Sequence, residues 1–427
     1  MTEAVIGSIT RQKEGSTYRI FSQFDGQAAC FETDDIELEP SIEAFGSLWL
    51  IPCILENRDL RFENPVCKTW YENAHRLIDL LSDCWGTAKI KILAETYETK
   101  LAPQQAEAIC FSGGVDSFHT LKKRGSAKYL LRAEPFDTHS NRPEYSKLAR
   151  ERLEKVADAV GATPLTIRYN LLDHPSHTKL DMNDIYTGIF ACMGHLLSPH
   201  IGSLFISSSH HKDEPCVYSC RWQTDPLHSS TLLQVHHEAE ISRRDKVAEI
   251  ADWPLAQENL FVCFQMPGSN RNCSSCEKCV RTLLDLHILG KSESFKTFDL
   301  SRPLWEAMDQ VNAVLNPMTY QSALTLPLDP RVANGIWRMI RREHERVRRL
   351  EVADRYRRQV DEELPRLQEG LNNALHHYSL LQEEHQQLAA DYAAIAGSLP
   401  IRNGLKLVRK VAKKLRATAA KRGARHD

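Results

Sequence analysis

From Ala108 onward, short apolar runs alternate with longer stretches whose apolar residues recur every three or four positions. The runs 108–111, Tyr129 to Arg132, Leu165 to Tyr169 and Ser203 to Ser207 predict strands; 117–124, Tyr145 to Val160 and Ile185 to Leu197 predict helices. Apolar strands between amphipathic helices predict an α/β fold, a parallel sheet covered on both faces. Upstream, Thr17 to Phe21, Ala28 to Phe31 and Ser47 to Ile54 are β-favouring runs. Trp70 to Leu81 has helical spacing, and Lys89 to Leu93 reads as a further strand. Downstream, Arg331 to Glu363 is charge-dense and predicts a long solvated helix that Pro365 kinks or breaks. Beyond it Leu371, Ala374, Tyr378, Leu381, His385, Leu388, Tyr392 and Ile395 form a heptad seam. That seam either pairs two copies through 367–395, packs on the parent domain, or folds back on 331–363. The resulting plan is a β-rich segment with a helix (1–100), an α/β domain (101–330), a helical segment (331–400) and a tail (401–427).

Composition adds a polarity to this plan. The 427 residues are 42% apolar, enough for a sizeable core, and the formal net charge is −2. Residues 401–427 carry ten Lys/Arg against one acid, leaving 44 basic and 55 acidic side chains elsewhere, a net of −11. An acidic body argues against a general nucleic-acid surface. In the tail, Ile401, Leu405, Val408, Ala412 and Leu415 share one helical face ringed by lysines and arginines, a pattern suited to an anionic membrane surface or an acidic partner. Met1 to Thr10 lacks a secretory pattern and no apolar run approaches membrane-spanning length, so the expected location is cytoplasmic, peripheral at the membrane if the tail binds there. Twelve cysteines there imply reduced thiols or metal ligands.

The chemistry concentrates at two places. Ser112, Gly113, Gly114, Val115, Asp116 and Ser117 follow the 108–111 run and precede a helix. Glycines let backbone N–H groups approach a ligand, and the helix start adds unpaired donors and a partial positive charge. This cradle suits a phosphate chain, with Ser112 and Ser117 as hydroxyl donors and Asp116 as a Mg2+ ligand. Cys273, Cys276 and Cys279 form a C-x2-C-x2-C knuckle, and Cys263 lies ten residues upstream. Four converging sulfurs close a structural zinc site; three with an exchangeable ligand would instead suit an iron–sulfur cluster. After the 203–207 strand, Lys212 can stabilise leaving phosphates, and His210 or His211 can position an acceptor or move a proton.

The loop resembles the pyrophosphate loop of N-type ATP pyrophosphatases. The loop and the C-x9-C-x2-C-x2-C spacing together resemble the 7-cyano-7-deazaguanine synthase family and a broader set of bacterial proteins. These share Ser112 to Phe118, Asp225 to Ser230 and Asn272 to Thr282. The resemblance covers roughly residues 1–330 and implies a parallel-sheet PP-loop fold of the adenine nucleotide α-hydrolase kind. It implies ATP and Mg2+ at 112–117, Zn2+ on the four cysteines, and an AMP-forming ligase that adenylates a carboxylate or amide oxygen for attack by ammonia or an amine. A tRNA-modifying adenylating enzyme of the sulfurtransferase type, and a nucleotide-binding assembly or membrane-surface protein, are the other expectations.

Overall fold

The computed structural model describes residues 3–125, 127–135, 143–178, 180–209, 211–212, 219–238, 240–265, 268–315, 317–397 and 409–414. The chain divides into two units, Met1–Glu343 and His344–Asp427.

The first unit begins with strands β1 (Glu3–Ile6), β2 (Ile9–Glu14), β3 (Thr17–Phe24) and β4 (Gln27–Thr33), then helix α1 (Ile42–Glu56). Strands β5 (Asp59–Phe62) and β6 (Val66–Cys67), helix α2 (Lys68–Trp85) and the short β7 (Ile92–Leu93) and β8 (Thr96–Tyr97) follow. The alternating block is β9 (Glu107–Cys110), α3 (Val115–Arg124), β10 (Tyr129–Pro135), α4 (Pro143–Val160) and β11 (Thr163–Tyr169). It continues through α5 (Pro175–Thr178), α6 (Met182–Leu196), β12 (Ser203–Ser207) and β13 (Gln234–Glu238). Helices α7 (Arg243–Ile250), α8 (Pro254–Asn259), α9 (Glu277–Ile288), α10 (Leu304–Ala307), α11 (Pro317–Ala323) and α12 (Pro330–Gly397) complete the described α-helices.

Eight strands form one sheet in the order β13-β12-β9-β10-β11-β4-β3-β2. The five from β13 to β11 run parallel, as the alternating pattern predicts. The N-terminal strands extend this sheet: β4 joins β11 antiparallel, with Arg168 opposite Glu32, and β3 and β2 follow as a meander. Successive residues of β9 face opposite sides. Ala108 and Cys110 meet the core that holds α1 and α6, whereas Ile109 and Phe111 meet the core of α3, α4, α7 and α9. Both faces are covered, as a parallel sheet requires.

Ser47 to Ile54, expected as a strand, is instead the middle of α1. Every residue from Glu43 to Ile54 is buried, so the helix has no polar face and shows no 3.6-residue period. Its signals are at the ends: the Ser41 hydroxyl accepts from Ala44 N, and Asn57 closes the helix in the left-handed region at φ 53°. Helix α6 crosses α1 closely enough that a Cβ on Gly188 would stand 2.6 Å from the Ser47 carbonyl oxygen. Gly188→Ala is therefore expected to push the helices apart and cost about 1–3 kcal/mol in a urea titration. A variant as stable as the parent would contradict the close packing.

Pro365 does not break the C-terminal helix, which runs from Pro330 to Gly397. A proline removes one i→i−4 hydrogen bond, and the turns on either side here continue the same helix. Val332, Ile336, Met339 and Ile340 bury against α9 and α11, whereas Leu371, Tyr378, Leu381 and Leu388 of the second unit are exposed. Of the tail, only 409–414 is described, and it is helical; Ile401, Leu405, Val408 and Leu415 lie outside the described residues. Among the described residues no helix is long and apolar enough to cross a membrane.

Candidate functional site: a glycine loop, a cationic wall and a four-cysteine centre

The chain passes from β9 to β10 and β11 on one side, then returns to β12 on the other. The loop after β9 therefore sits at the point where the strand order reverses, beyond the C-terminal strand ends, where open α/β sheets bind ligands. Gly113 adopts φ +79°, a conformation that side chains with a Cβ rarely take. Its carbonyl accepts from Phe261 N at 2.9 Å, which ties the loop to the segment leading into Cys263. Gly114 is the N-cap of α3 and no side chain caps the helix, so its first N–H groups face outward with the positive end of the helix dipole. Ser112 Oγ lies 3.4 Å from Ser117 Oγ and 3.3 Å from Gly114 N. Val115 is buried in the core beneath, so its side chain anchors the turn.

A cleft of about 220 Å³ opens on this loop. Leu131, Ala133, Phe190 and Ile206 supply an apolar wall, while Ser112, Asp116, Ser117 and Lys278 supply polar groups. Asp116 pairs with Lys246 at 3.1 Å and Arg243 at 3.4 Å, and Lys246 also donates to the Ser208 carbonyl at 2.5 Å. Burial pushes the Asp116 carboxyl up, but Lys246 and Arg243 overcome it and hold the group below its ordinary value. Both carboxylate oxygens are thus engaged by cations, and a Mg2+ ion at Asp116 would have to replace one of them. The surrounding charge is predominantly positive. Burial pulls Lys278 below the usual lysine range, and Arg243 and Arg281 add to that. Three buried guanidinium Nε donors, those of Arg132, Arg243 and Arg281, make no hydrogen bond; Arg132 has Glu134 at 3.6 Å and Arg281 has Glu277 at 3.5 Å. Buried donors without acceptors beside a glycine loop suit an anionic ligand.

The four cysteines converge as their spacing predicts. Their Sγ atoms all lie within 4.8 Å of one another, with Cys276–Cys279 at 3.4 Å, Cys273–Cys279 at 3.8 Å and Cys263–Cys276 at 4.0 Å. A tetrahedral ion with Zn–S bonds of about 2.3 Å separates its sulfurs by about 3.8 Å. The cluster therefore fits a single four-coordinate ion such as zinc, whereas a 4Fe–4S cluster binds each cysteine to a different iron and spreads them further. The protonation pattern agrees. The sulfur contacts with Cys263 and Cys279 draw Cys276 well below the thiol range, and the contact with Cys276 raises Cys263 to about 11. Without a cation the group sustains few thiolates; with one, all four can ionise.

A second group, Cys220, Asp225 and His237, differs in kind. Asp225 is fully buried, accepting from His237 Nδ1 at 2.7 Å, Thr187 Oγ1 at 3.1 Å and Cys220 Sγ at 3.5 Å. Ligands on one zinc stand about 3.3 Å apart at N/O bond lengths of about 2.0–2.1 Å, so 2.7 Å marks a hydrogen bond. This is a satisfied Asp–His pair behind the cleft wall. Ser229 and Ser230, from the same Asp225 to Ser230 segment, cap the approach to β13: Ser229 Oγ accepts from Val235 N, and Ser230 Oγ from Leu233 N.

Lys212 is exposed, its ammonium 5.2 Å from the centre of the Trp222 ring, and it does not line the cleft. His210 lies outside the described residues. The cations at the loop are instead Arg243 and Lys246, more than 120 residues downstream of it and not singled out by sequence reasoning. One signal was present: Ser242 N-caps α7 while Arg243, Arg244 and Lys246 crowd its first turns. Bases at a helix N-terminus oppose the dipole, which marks an outside demand for positive charge.

No known family's sequence model matches the chain, and no curated protein matches it. Among solved structures, one described as "Structure of a Type III CRISPR defence DNA nuclease activated by cyclic oligoadenylate" aligns at 10% identity over 71% of this chain and 55% of that one. Its TM-score is 0.18, too low for an argument about fold or function, and this chain spans about half of that protein.

Proposed function

We propose that the protein is an AMP-forming ligase of the ATP pyrophosphatase (PP-loop) type, related in its chemistry to 7-cyano-7-deazaguanine synthase. The observation that carries this reading is the Ser112–Ser117 loop at the strand-order reversal, with Lys278 lining its cleft and the buried Arg132 and Arg243 each keeping an Nε donor without an acceptor. In this reading a carboxylate or amide oxygen of the acceptor attacks the α-phosphorus of ATP. The bond from that phosphorus to the bridging oxygen of the β-phosphate breaks, and pyrophosphate leaves into the loop. Ammonia or an amine then attacks the adenylated carbon, AMP departs, and the nitrogen sheds a proton. The loop N–H groups, Ser112, Ser117 and Lys278 stabilise charge that grows on the leaving pyrophosphate, with Lys246 and Arg243 adding positive charge from behind Asp116. Mg2+, where it accompanies ATP, supplies further charge neutralisation. Zinc on the four cysteines has no open position and holds the fold. A closed four-thiolate site also offers none of its own sulfurs for transfer, which favours ligation over sulfur insertion into tRNA.

Incubating the protein with labelled ATP, ammonium and a panel of carboxylates tests the reaction. The expected products are AMP and pyrophosphate in equal amounts, dependent on one class of acceptor. ADP and orthophosphate would contradict the proposal.

A further inference from the structure

We propose that the four-cysteine centre delivers Lys278 to the phosphate cleft, so that anion binding depends on the metal. The inference rests on the loop being a phosphate site. Lys278 stands between Cys276 and Cys279 on the first turn of α9, so two neighbours of its backbone are sulfur ligands. Its side chain lines the cleft together with Ser112, Asp116 and Ser117. The ammonium sits 4.1 Å from the centre of the Phe264 ring, and Phe264 follows Cys263, the remaining ligand. Sulfurs on both sides of the lysine and beside its aromatic support therefore share one ion, which fixes the rotation of the helix start and the direction of the side chain.

The centre also reaches the loop through the backbone. Gly113 O accepts from Phe261 N at 2.9 Å, and Asn272 bridges Val262 N at 2.8 Å and Leu260 O at 3.0 Å. Residues 260–263 are thus clamped between the glycine turn and the knuckle. Arg243, the other cation on this side, donates to Thr282 Oγ1 on α9 at 3.2 Å. Loss of the ion releases the point from which Lys278 is aimed and loosens a strap that holds Gly113. Lys278 is on this account an anion-binding residue, and the metal centre positions it.

The test uses the full zinc-loaded chain and inorganic pyrophosphate as probe, titrated calorimetrically. Lys278→Ala is expected to weaken binding by about tenfold or more, the scale of a lost charge-assisted hydrogen bond. Lys278→Arg is expected to retain binding within about threefold, because the positive charge persists. Both variants should keep their zinc and their thermal midpoint. Stripping zinc from the parent should weaken binding at least as much, and stripping it from Lys278→Ala should weaken it less, by the share of the strap on Gly113 alone. If the metal-free chain loses its fold by circular dichroism, the zinc-loaded Ala and Arg variants alone decide. Parent-like pyrophosphate binding by zinc-loaded Lys278→Ala overturns the inference and leaves the loop reading intact. Absence of pyrophosphate and ATP binding by the zinc-loaded parent overturns both.

Discussion

Replacing Cys276 by serine is expected to release the bound ion and to destabilise the first unit by more than about 4 kcal/mol, the range reached when a structural metal is lost. Cys276 is the N-cap of α9 and the hub of the cluster, with sulfur neighbours at 3.4 and 4.0 Å. The helix that starts there enters two cores: Cys279 and Leu283 pack under the sheet, and Val280 and Leu284 pack against α11 and the start of α12. A serine oxygen is a poor zinc ligand and leaves Cys263, Cys273 and Cys279 crowded with no cation between them. Metal analysis should find about one zinc per parent chain and almost none in the variant. The melting midpoint should fall by roughly 5–10 °C. Serine at the exposed Cys84 should leave stability within about 0.5 kcal/mol, which separates loss of this centre from loss of a thiol. Unchanged zinc content and midpoint in the Cys276 variant would contradict the site.

Asp116→Ala is expected to have a comparable effect for a different reason. Lys246 is buried, with side-chain exposure of 2%, and its ammonium has two partners, Asp116 and the Ser208 carbonyl. Arg243 loses the same carboxylate. Removing one member of a buried ion pair leaves an uncompensated charge and costs about 3–5 kcal/mol. Asp116→Asn preserves the shape and isolates the charge. Because the folded carboxyl titrates below its ordinary value of 3.8, its contribution is complete above that value and is lost as pH falls through the lower, folded one. Urea midpoints measured from pH 7 down to about pH 2.5 should therefore drop on the acid side in the parent and drop less in the Asn variant. Parallel pH profiles would show that the pair contributes nothing. A bound polyphosphate would partly replace the lost carboxylate, so pyrophosphate should stabilise Asp116→Ala relative to its free form.

Legibility from sequence followed the physics of each segment. The strand at Ser203 to Ser207 matches its predicted bounds, and the glycine loop falls at the C-terminal strand end where the alternating pattern put it. Both are local signals: a buried apolar run, and a glycine pair that precedes a helix. Cysteine convergence was equally legible, because the short C-x2-C-x2-C spacing constrains three ligands before any tertiary contact forms. Helix α1 was misread because uniform burial erases the period that distinguishes helix from strand. The joining of β4 to β11 pairs residues more than 130 positions apart, which no window along the chain can register. Arg243 and Lys246 were missed for the same reason, although their unfavourable place at a helix N-terminus was a readable mark.

The central claim is that residues 112–117 hold the phosphates of ATP. Its most direct test is an equilibrium titration of the full chain with ATP and with inorganic pyrophosphate, beside the same titration of Gly113→Val. At φ +79° a β-branched residue is strained and must rearrange the turn that presents the N–H groups. The account predicts saturable binding of both ligands to the parent and at least about tenfold weaker binding to the variant, with zinc content unchanged. Equal binding by the two proteins, or no binding to the parent at millimolar ligand, would contradict it.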